Sequence, residues 1–499
     1  MAFATKSRLR ALMLGGASAL ASAAFAADKP ADDAGAKTVA DFIAAYAGQA
    51  ALPSIKVTQD AGGYRIAFDL AAATAAMKKA GFTYDPATLT AKVFQQDDGQ
   101  WRIEMADMPP VTGHVEPAPG NKVSQKMDIR AEASGFKSVT LLDPKLNWIG
   151  AMHGGADKLT VTQHGPGVEQ FIEIGGLKFD GKTTSGPEGL TTTATEPMDS
   201  INLVMDVDPK GVDRATGGPT KPVHVSAQGE KGHAEIALKD FQPGPVLDAW
   251  RFFAAHPEPA DVARDFDALK TVLAALVADH AKLEELVTLD KLHVLTQAGP
   301  VEIEGASVGI GAINGGEPTG FSERFAAKSI KLPDGLVPPM LASFVPTAFE
   351  FGFVAHGFDL EAGVKEWLAD AKVEDGVVKI DKADQDKVTQ KMIGERPIVV
   401  DIAPSHVVGP SLNLAFEGKI TIEATKPTGS ITLTVQDFDK TEQAVQGLPP
   451  QTAQQLTPAI AMAKGLGKPG PNGALVWVCS IGPDHVMKVN GLPLGKAPF

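Results

Sequence analysis

The sequence predicts an α+β protein, mainly β, with large antiparallel curved sheets in two lobes and a few amphipathic helices packed on their apolar faces. Three observations carry this reading. Apolar side chains recur at every second position along many segments, which places them on one face of an extended strand. Between those segments lie turns rich in Gly and Pro, and with 51 Gly and 36 Pro in 499 residues the chain has enough of both to punctuate many short connections. Apolar residues at helical spacing, by contrast, occur in only a few places.

Taken in order, the chain opens with Lys6, Arg8 and Arg10 and no acid, followed by a small-residue apolar run from Ala11 to Phe25. That run is about 15 residues, short of the ~20 that a membrane-spanning helix needs. It closes on Ala24-Phe25-Ala26, the small-x-small pattern that signal peptidase accepts, with Ala21-Ser22-Ala23 as a second site. Residues 1–26 are therefore expected to be an export signal cleaved near Ala26. This sends a mature chain without a transmembrane segment to the periplasm of a Gram-negative bacterium. No Cys stands near the cleavage point, so a lipoprotein anchor is not expected.

Residues 1–26 carry three basic residues and no acid, so their removal takes the formal net charge from −14 to −17. A chain this acidic does not suit a phosphate backbone, and nucleic acid is not an expected partner. The single Cys, Cys479, rules out an intrachain disulfide. Its place in Leu475-Val476-Trp477-Val478-Cys479 predicts a core strand, the safe location for a lone thiol in an oxidising compartment.

The first one-sided strand has Tyr64, Ile66, Phe68 and Leu70 alternating with Arg65, Ala67 and Asp69. Asp97-Asp98-Gly99 then turns into Trp101, Ile103 and Met105, which alternate with Arg102 and Glu104. Met127, Ile129 and Ala131 follow the same rule, as do Ala234, Ile236 and Leu238. The longest pattern runs from Leu412 to Ala424, with Leu412, Leu414, Phe416, Ile420 and Ile422 opposed to Asn413, Glu417, Lys419, Thr421 and Glu423. Lys426-Pro427-Thr428-Gly429 is expected to turn the chain into a return strand carrying Ile431, Leu433 and Val435 on one face.

Helical spacing marks Val39–Leu52, and a long stripe from about Ala260 to Val287 through Val262, Phe266, Leu269, Leu273, Leu276, His280 and Leu283. A third stripe holds Leu360, Val364, Trp367, Leu368 and Ala371, with Asp359 placed to cap it. A final pair, Lys440–Gly447 and Gln451–Lys464, is split by Pro449-Pro450. The expected organisation is a signal at 1–26, a β-rich lobe at 27–255, a long amphipathic helical segment at 256–290 and a second β-rich lobe at 291–499. A faint repeat supports two lobes of similar plan. Ala234–Phe241 and Ile431–Phe438 each end a one-sided strand in Asp-Phe before a helix.

No catalytic or cofactor motif survives its context. Gly305-Ala306-Ser307-Val308-Gly309 matches the serine-hydrolase elbow as a string, but Ile310-Gly311-Ala312-Ile313-Asn314-Gly315 cannot supply the helix that must follow. Gly176–Thr183 matches the phosphate-binding loop, yet Thr184-Ser185-Gly186-Pro187 follows and a hairpin turn is expected instead. The glycines at 309, 311 and 315 are expected in a hairpin connection, since Glu317-Pro318-Thr319-Gly320 opens no helix. Asp206, Asp208, Gly211 and Asp213 resemble the start of a calcium loop but lack the twelfth-position Glu, Gly217 standing there. The 11 His show no paired metal-ligand spacing, and Glu284, Glu285 and Asp290 are expected as a solvated face at the end of the long helix. No metal, cofactor or catalytic residue is expected, and the chain is not expected to be an enzyme.

One segment is less ordinary. From Leu336 to Phe353 the chain carries four Phe and a Met with a single acid, Glu350, and no base. Pro338, Pro339 and Pro346 exclude a spanning helix. The plain expectation is a short core helix entering a buried strand. The sharper one is an apolar lip in which Met340, Phe344, Phe349, Phe351 and Phe353 touch a lipid chain or another hydrophobic ligand.

The C-terminal stretch carries a resemblance. Gly429-Ser430-Ile431-Thr432-Leu433, Val435-Gln436-Asp437-Phe438, Gly473-Ala474-Leu475-Val476-Trp477 and the closing Val489-Asn490-Gly491-Leu492-Pro493-Leu494-Gly495 resemble a β-rich, alphaproteobacterial-type family of secreted or envelope-anchored proteins of unknown function. More widely the chain is similar to AsmA-like envelope proteins, whose curved sheets form lipid-holding grooves. The resemblance covers most of the second lobe and brings no catalytic residues. It departs from many of those proteins in its cleavable signal and lack of an anchor. The resulting expectation is a non-enzymatic periplasmic protein that binds or carries a lipid or other hydrophobic molecule. The alternative is a structural or assembly factor that binds envelope proteins. A hydrolase built on Ser307 ranks third, because no base can be assigned to that serine.

Overall fold

A computed structural model describes residues 27–47, 49–73, 82–116, 126–207, 223–256, 259–296, 298–313, 319–374, 376–393, 396–423 and 426–496. The expected export signal and Asp208–Asp213 of the calcium-like loop lie outside them. The chain forms an α+β fold dominated by antiparallel strands, and it divides into two compact units. The first comprises Met1–Ala281 with Asp370–Asp381, and the second Lys282–Ala369 with Lys382–Phe499.

The first unit contains β1 (Ile55–Asp60), β2 (Gly63–Asp69), β3 (Phe82–Tyr84), β4 (Thr88–Gln95), β5 (Trp101–Met105), β6 (Val111–Val115), β7 (Met127–Ser134), β8 (Lys137–Asp143), β9 (Trp148–Gly165), β10 (Val168–Ser185), β11 (Leu190–Val207) and β12 (Val223–Phe241). One edge of the 18-residue β9 serves two partners, its first half pairing with β8 and its second with β7. From β8 the pairing runs outward through β5, β4, β2 and β1, and from β7 through β6 and β3. The other edge of β9 leads through β10 and β11 to β12. Helix α1 (Asp33–Ala47) lays Val39 against Tyr64 and Val93, so the alternation of Tyr64 and Ile66 faces a helix, as amphipathic packing requires. Helices α2 (Pro243–Ala255), α3 (Pro259–Arg264) and α4 (Phe266–Val277) bury Leu247, Phe252, Ala263, Phe266 and Leu269.

The long strands share a device that their sequences encode. Gly135, Asp157, Gly176, Asp199 and Lys231 stand side by side across the sheet at the level where regular pairing lapses. Gly135, Gly176 and Lys231 occupy the left-handed region, with φ of 65°, 59° and 49°. A methyl group at Gly135 would collide with the Asp157 carboxylate, and one at Gly176 with that of Asp199. At this seam the apolar positions change parity. In β7 and β8 they run Ile129, Ala131, Ala133 and then Phe136; in β10, Ile172, Ile174 and then Leu177, Phe179; in β12, Val225, Ala227 and then Ala234, Ile236. Because the left-handed residue offsets the alternation by one, the apolar groups stay on a single face. Ala133 from before the seam accordingly packs with Phe136, Phe179 and Met152 from beyond it.

The second unit contains β13 (Lys282–Thr296), β14 (Gly299–Ile313), β15 (Thr319–Lys331), β16 (Ala348–Phe358), β17 (Ile398–Val408), β18 (Asn413–Glu423), β19 (Lys426–Gln436), β20 (Leu475–Ile481), β21 (Val486–Val489) and β22 (Leu492–Lys496), each paired antiparallel with the next. A seam recurs here. Ser329, at φ 51°, stands opposite Glu304, and parity switches from Val301 and Ile303 to Ala306, Val308 and Ile310. Lys331 at 3.1 Å and Ser329 both hydrogen-bond the Glu304 carboxylate and hold its pKa below the usual range. Helices α5 (Leu360–Asp370) and α6 (Lys382–Ile393) follow β16, while α7 (Phe438–Gln446) and α8 (Pro450–Leu466) follow β19. Phe438, Ile460, Ala463 and Leu466 from α7 and α8 close over Val435, Leu433 and Trp477, and the Trp477 indole donates to the Ala463 carbonyl at 2.7 Å. Asn490 ties the last hairpin to this cluster. Its amide donates to the Leu466 carbonyl at 2.7 Å and the Val476 carbonyl at 3.0 Å, and accepts from the Val478 N–H at 2.9 Å.

The Asp-Phe repeat has a shared geometry: Asp240 and Asp437 are both left-handed, at φ 59° and 51°, and the Phe after each is buried. A second repeat went unnoticed in the sequence. Phe68-Asp69-Leu70 and Phe358-Asp359-Leu360 each end a strand and begin a helix, and each Asp caps it, accepting from Ala72 N–H at 3.1 Å and from Ala362 N–H at 2.8 Å.

Three expectations are corrected. The helix expected over 260–287 breaks at Asp265 and ends at Val277; Leu283 and Val287 lie in β13, where they alternate with Glu285 on one face. The buried Asp279 carboxylate, accepting from the Gln242 N–H at 3.1 and 3.2 Å, sits in the connection, and burial pushes its pKa up. Lys426–Gly429 belongs to β19 rather than to a turn, because Lys426 pairs with Glu423. Gly176–Thr183 is no hairpin turn; it lies within β10, where Gly176 marks the seam.

Candidate functional site

The one-sided alternation of the second unit produces a broad apolar face. Register sets its rows. Val287, Val308, Phe325 and Phe351 form one; Leu283, Ala312, Phe321, Ala355, Val400 and Ile420 form another; Leu289, Ala306, Ala327, Phe349, Val407, Leu414 and Val435 form a third. Six strands, β13 to β18, cover roughly 24 Å at ~4.8 Å spacing. At the β19–β20 end α7 and α8 seal this face. Toward β14 and β15 it lies open, with Val308, Ile310 and Phe321 being 42%, 51% and 41% exposed. These neighbouring side chains form a contiguous exposed apolar patch, and such a patch is a candidate ligand- or partner-binding surface.

Phenylalanines dominate the middle. Phe351 packs on Phe353 at 5.8 Å between ring centroids and stacks on Phe416 at 6.1 Å, while Phe321 meets Phe353 edge-on at 5.7 Å and stacks on Phe358 at 5.9 Å. Of the residues singled out in the sequence, Phe349, Phe351 and Phe353 thus share this face. Met340 and Phe344 lie apart on a 3-10 turn, Pro339–Phe344, just before β16. That turn is not the core helix of the plain expectation, for Met340 is 50% exposed and Leu341 42%. Phe321, Phe325, Phe358 and Phe416, which complete the aromatic group, were missed as site residues, although Phe416 was placed on an apolar strand face.

Two carboxylates interrupt this face. Glu285 of β13 and Glu323 of β15 flank Ile310 in the row that continues through Phe353 and Ile402. Both are half-buried. Neither has a hydrogen-bonding or ionic partner among the described residues. The helical reading of 260–287 assigned Glu285 to a solvated face with Glu284 and Asp290, whereas pairing in β13 puts it on the apolar face; Glu323 falls where Phe321 and Phe325 set an odd-numbered apolar alternation. Cys479 lies on the same face in β20, half-buried, and burial pushes its thiol pKa up, which keeps it in the unreactive neutral form.

Other candidates offer less chemistry. Ser307 sits in mid-strand in β14, between Thr288 and Ala326, with no helix after it. In the first unit an open groove of about 900 Å³ crosses the seam, lined among others by Arg65, Lys92, Lys178, Glu104, Asp157 and Asp199, opposite charges interleaved. Among the described residues no group of three or more His, Cys, Asp or Glu side chains could hold a metal ion, and no helix is long and apolar enough to cross a membrane. Most histidines instead face single carboxylates, as in His153–Asp180 at 2.5 Å, His224–Asp206 at 2.6 Å and His356–Asp401 at 3.0 Å. No protein-family model, curated protein or solved structure matches the chain.

Proposed function

We propose that this is an exported, non-enzymatic carrier of an extended apolar ligand of the acyl-chain class, which lies across β13–β18 on the apolar face of the second unit. The single observation that carries the reading is that open face: Val308, Ile310 and Phe321 remain exposed beside an ordered aromatic group. Burying apolar surface there stabilises a complex by ~25 cal/mol per Å² removed from water before the costs of association. The ~24 Å width exceeds the ~15 Å half-thickness of a bilayer's hydrocarbon core, so an acyl chain fits across the strands at full length. The wider resemblance of the sequence to AsmA-like envelope proteins points the same way, and the basic, apolar and small-x-small N-terminus favours the periplasm as the place of action.

The test is photocrosslinking of the purified mature chain with a diazirine-bearing palmitate, together with organic extraction and mass spectrometry of the protein as isolated. Adducts on peptides of β14–β18, with co-purifying lipid, are expected. Adducts confined to the first unit, or none above a denatured control, would overturn the reading. A second reading, an assembly factor that pairs with partner strands, is favoured by one observation: every residue of β22 is exposed, and among the described residues β22 pairs only with β21.

A further inference from the structure

The two isolated glutamates say more about the ligand than the apolar face alone. An ionised carboxylate is costly to hold against apolar surface unless a counter-charge or donors compensate it. On a neighbouring strand, Glu350 of β16 obeys that rule by pairing with Arg324. Glu285 and Glu323 do not. The rows of Val287, Glu285 and Leu283 contain no Lys, Arg or His from β13 through β16, so these rows offer them no cation. They stand two strand spacings apart, about 10 Å, with Ile310 between. Glu323 lies beside the cross-strand Phe353 and has Phe321 and Phe325 two positions away on its own strand. Carboxylates set among aromatic faces suit an ammonium group, which gains ion pairing from the first and cation–π attraction from the second.

We propose that the ligand is a cationic amphiphile: an apolar chain bearing an amine or quaternary ammonium group that is held between Glu285 and Glu323. The inference rests on the acyl-chain reading above and fixes the charge of the molecule that reading leaves open.

The experiment compares three probes of equal chain length, decylammonium, decanol and decanoate, by titration calorimetry against the full mature chain at pH 7.5, below their micellar concentrations. Decylammonium is expected to bind about tenfold more tightly than decanol, the combined worth of two partly exposed ion pairs, and decanoate more weakly than either. E285Q/E323Q is expected to erase the preference of decylammonium over decanol. E417Q/E423Q removes the same charge from the opposite, solvent-facing side of β18 and is expected to keep the preference, which separates local pairing from the attraction of an acidic protein. Equal affinities for decylammonium and decanol, or a preference that survives E285Q/E323Q, would overturn the charge inference and leave the apolar reading intact. Failure of all three probes to bind would overturn both. If the double variant does not fold, the single variants E285Q and E323Q carry the test: each is expected to reduce the preference, and a preference unchanged in both would overturn the charge inference.

Discussion

Gly176→Ala tests the seam directly. At φ 59° an L-residue pays about 1–2 kcal/mol for the left-handed region. The new methyl would also collide with the Asp199 carboxylate on β11, whose backbone is held by pairing on both flanks. Overpacking of this kind costs about 1–3 kcal/mol, so the expected total is about 2–5 kcal/mol, carried by the first unit. For a unit of this size roughly 2–4 °C accompany each kcal/mol, and the melting temperature should fall by about 4–20 °C. Urea titration and calorimetry of Gly176→Ala, Asp199→Ala and the double variant measure it. The double variant should recover the collision and keep the ~1–2 kcal/mol backbone penalty, giving a favourable coupling. Gly150→Ala on β9 is the control. It has no positive φ, the nearest atom is Asp143 Cβ at 3.4 Å, and a change within about 0.5 kcal/mol is expected. Should Gly176→Ala prove as stable as the parent, or lose no more than Gly150→Ala, the account of the parity switch is wrong.

Two further outcomes follow from the packing and the charge pairs. Asn490→Ala removes three hydrogen bonds and puts Ala at φ 51°, and is expected to cost about 2–4 kcal/mol by calorimetry, with protection from hydrogen exchange lost first at Val476–Val489. His114 is held above its ordinary pKa by hydrogen bonds to Asp128 at 2.7 Å and Asp85 at 3.1 Å, so its contribution is complete below the unfolded-state pKa and lost as pH rises through the raised folded value. His114→Gln should therefore lower the melting temperature at pH 5.5 and match the parent at pH 8.5; an equal deficit at both would show that the pair has no titrating role.

Much of the architecture was legible because two-residue periodicity needs only neighbouring residues. Leu414, Phe416 and Ile420 fall on the half-buried side of β18, and Asn413, Glu417 and Lys419 are exposed, as the alternation demands. Legibility failed where a strand's pattern is broken by design. From Leu283 to Leu295 the odd positions hold Leu, Glu, Val and Leu and the apolar positions then turn even, a sequence that also satisfies helical spacing through His280, Leu283 and Val287. Local spacing cannot decide between these; pairing with β14 does. The same parity switches, Ile174 to Leu177 and Ala227 to Ala234, were present in the sequence as a signal for the seam. Of the aromatic face, Phe349, Phe351 and Phe353 could be read from one segment. Their partners Phe321 and Phe416 come from strands that only tertiary register brings alongside, and register is not written locally.

The left-handed residues also govern which length changes these strands can survive. Deleting one residue from the interior of β10 would turn inside out everything between the lesion and the nearest end, exchanging Ile172 and Ile174 for Glu173 and Phe171 against the core. A deletion that took Gly176 would leave its neighbours on β9 and β11 still reversing alone. Natural variation in chain length should therefore gather at the hairpin tips, while the distance from each tip to the line through Gly135, Gly176 and Lys231 stays constant.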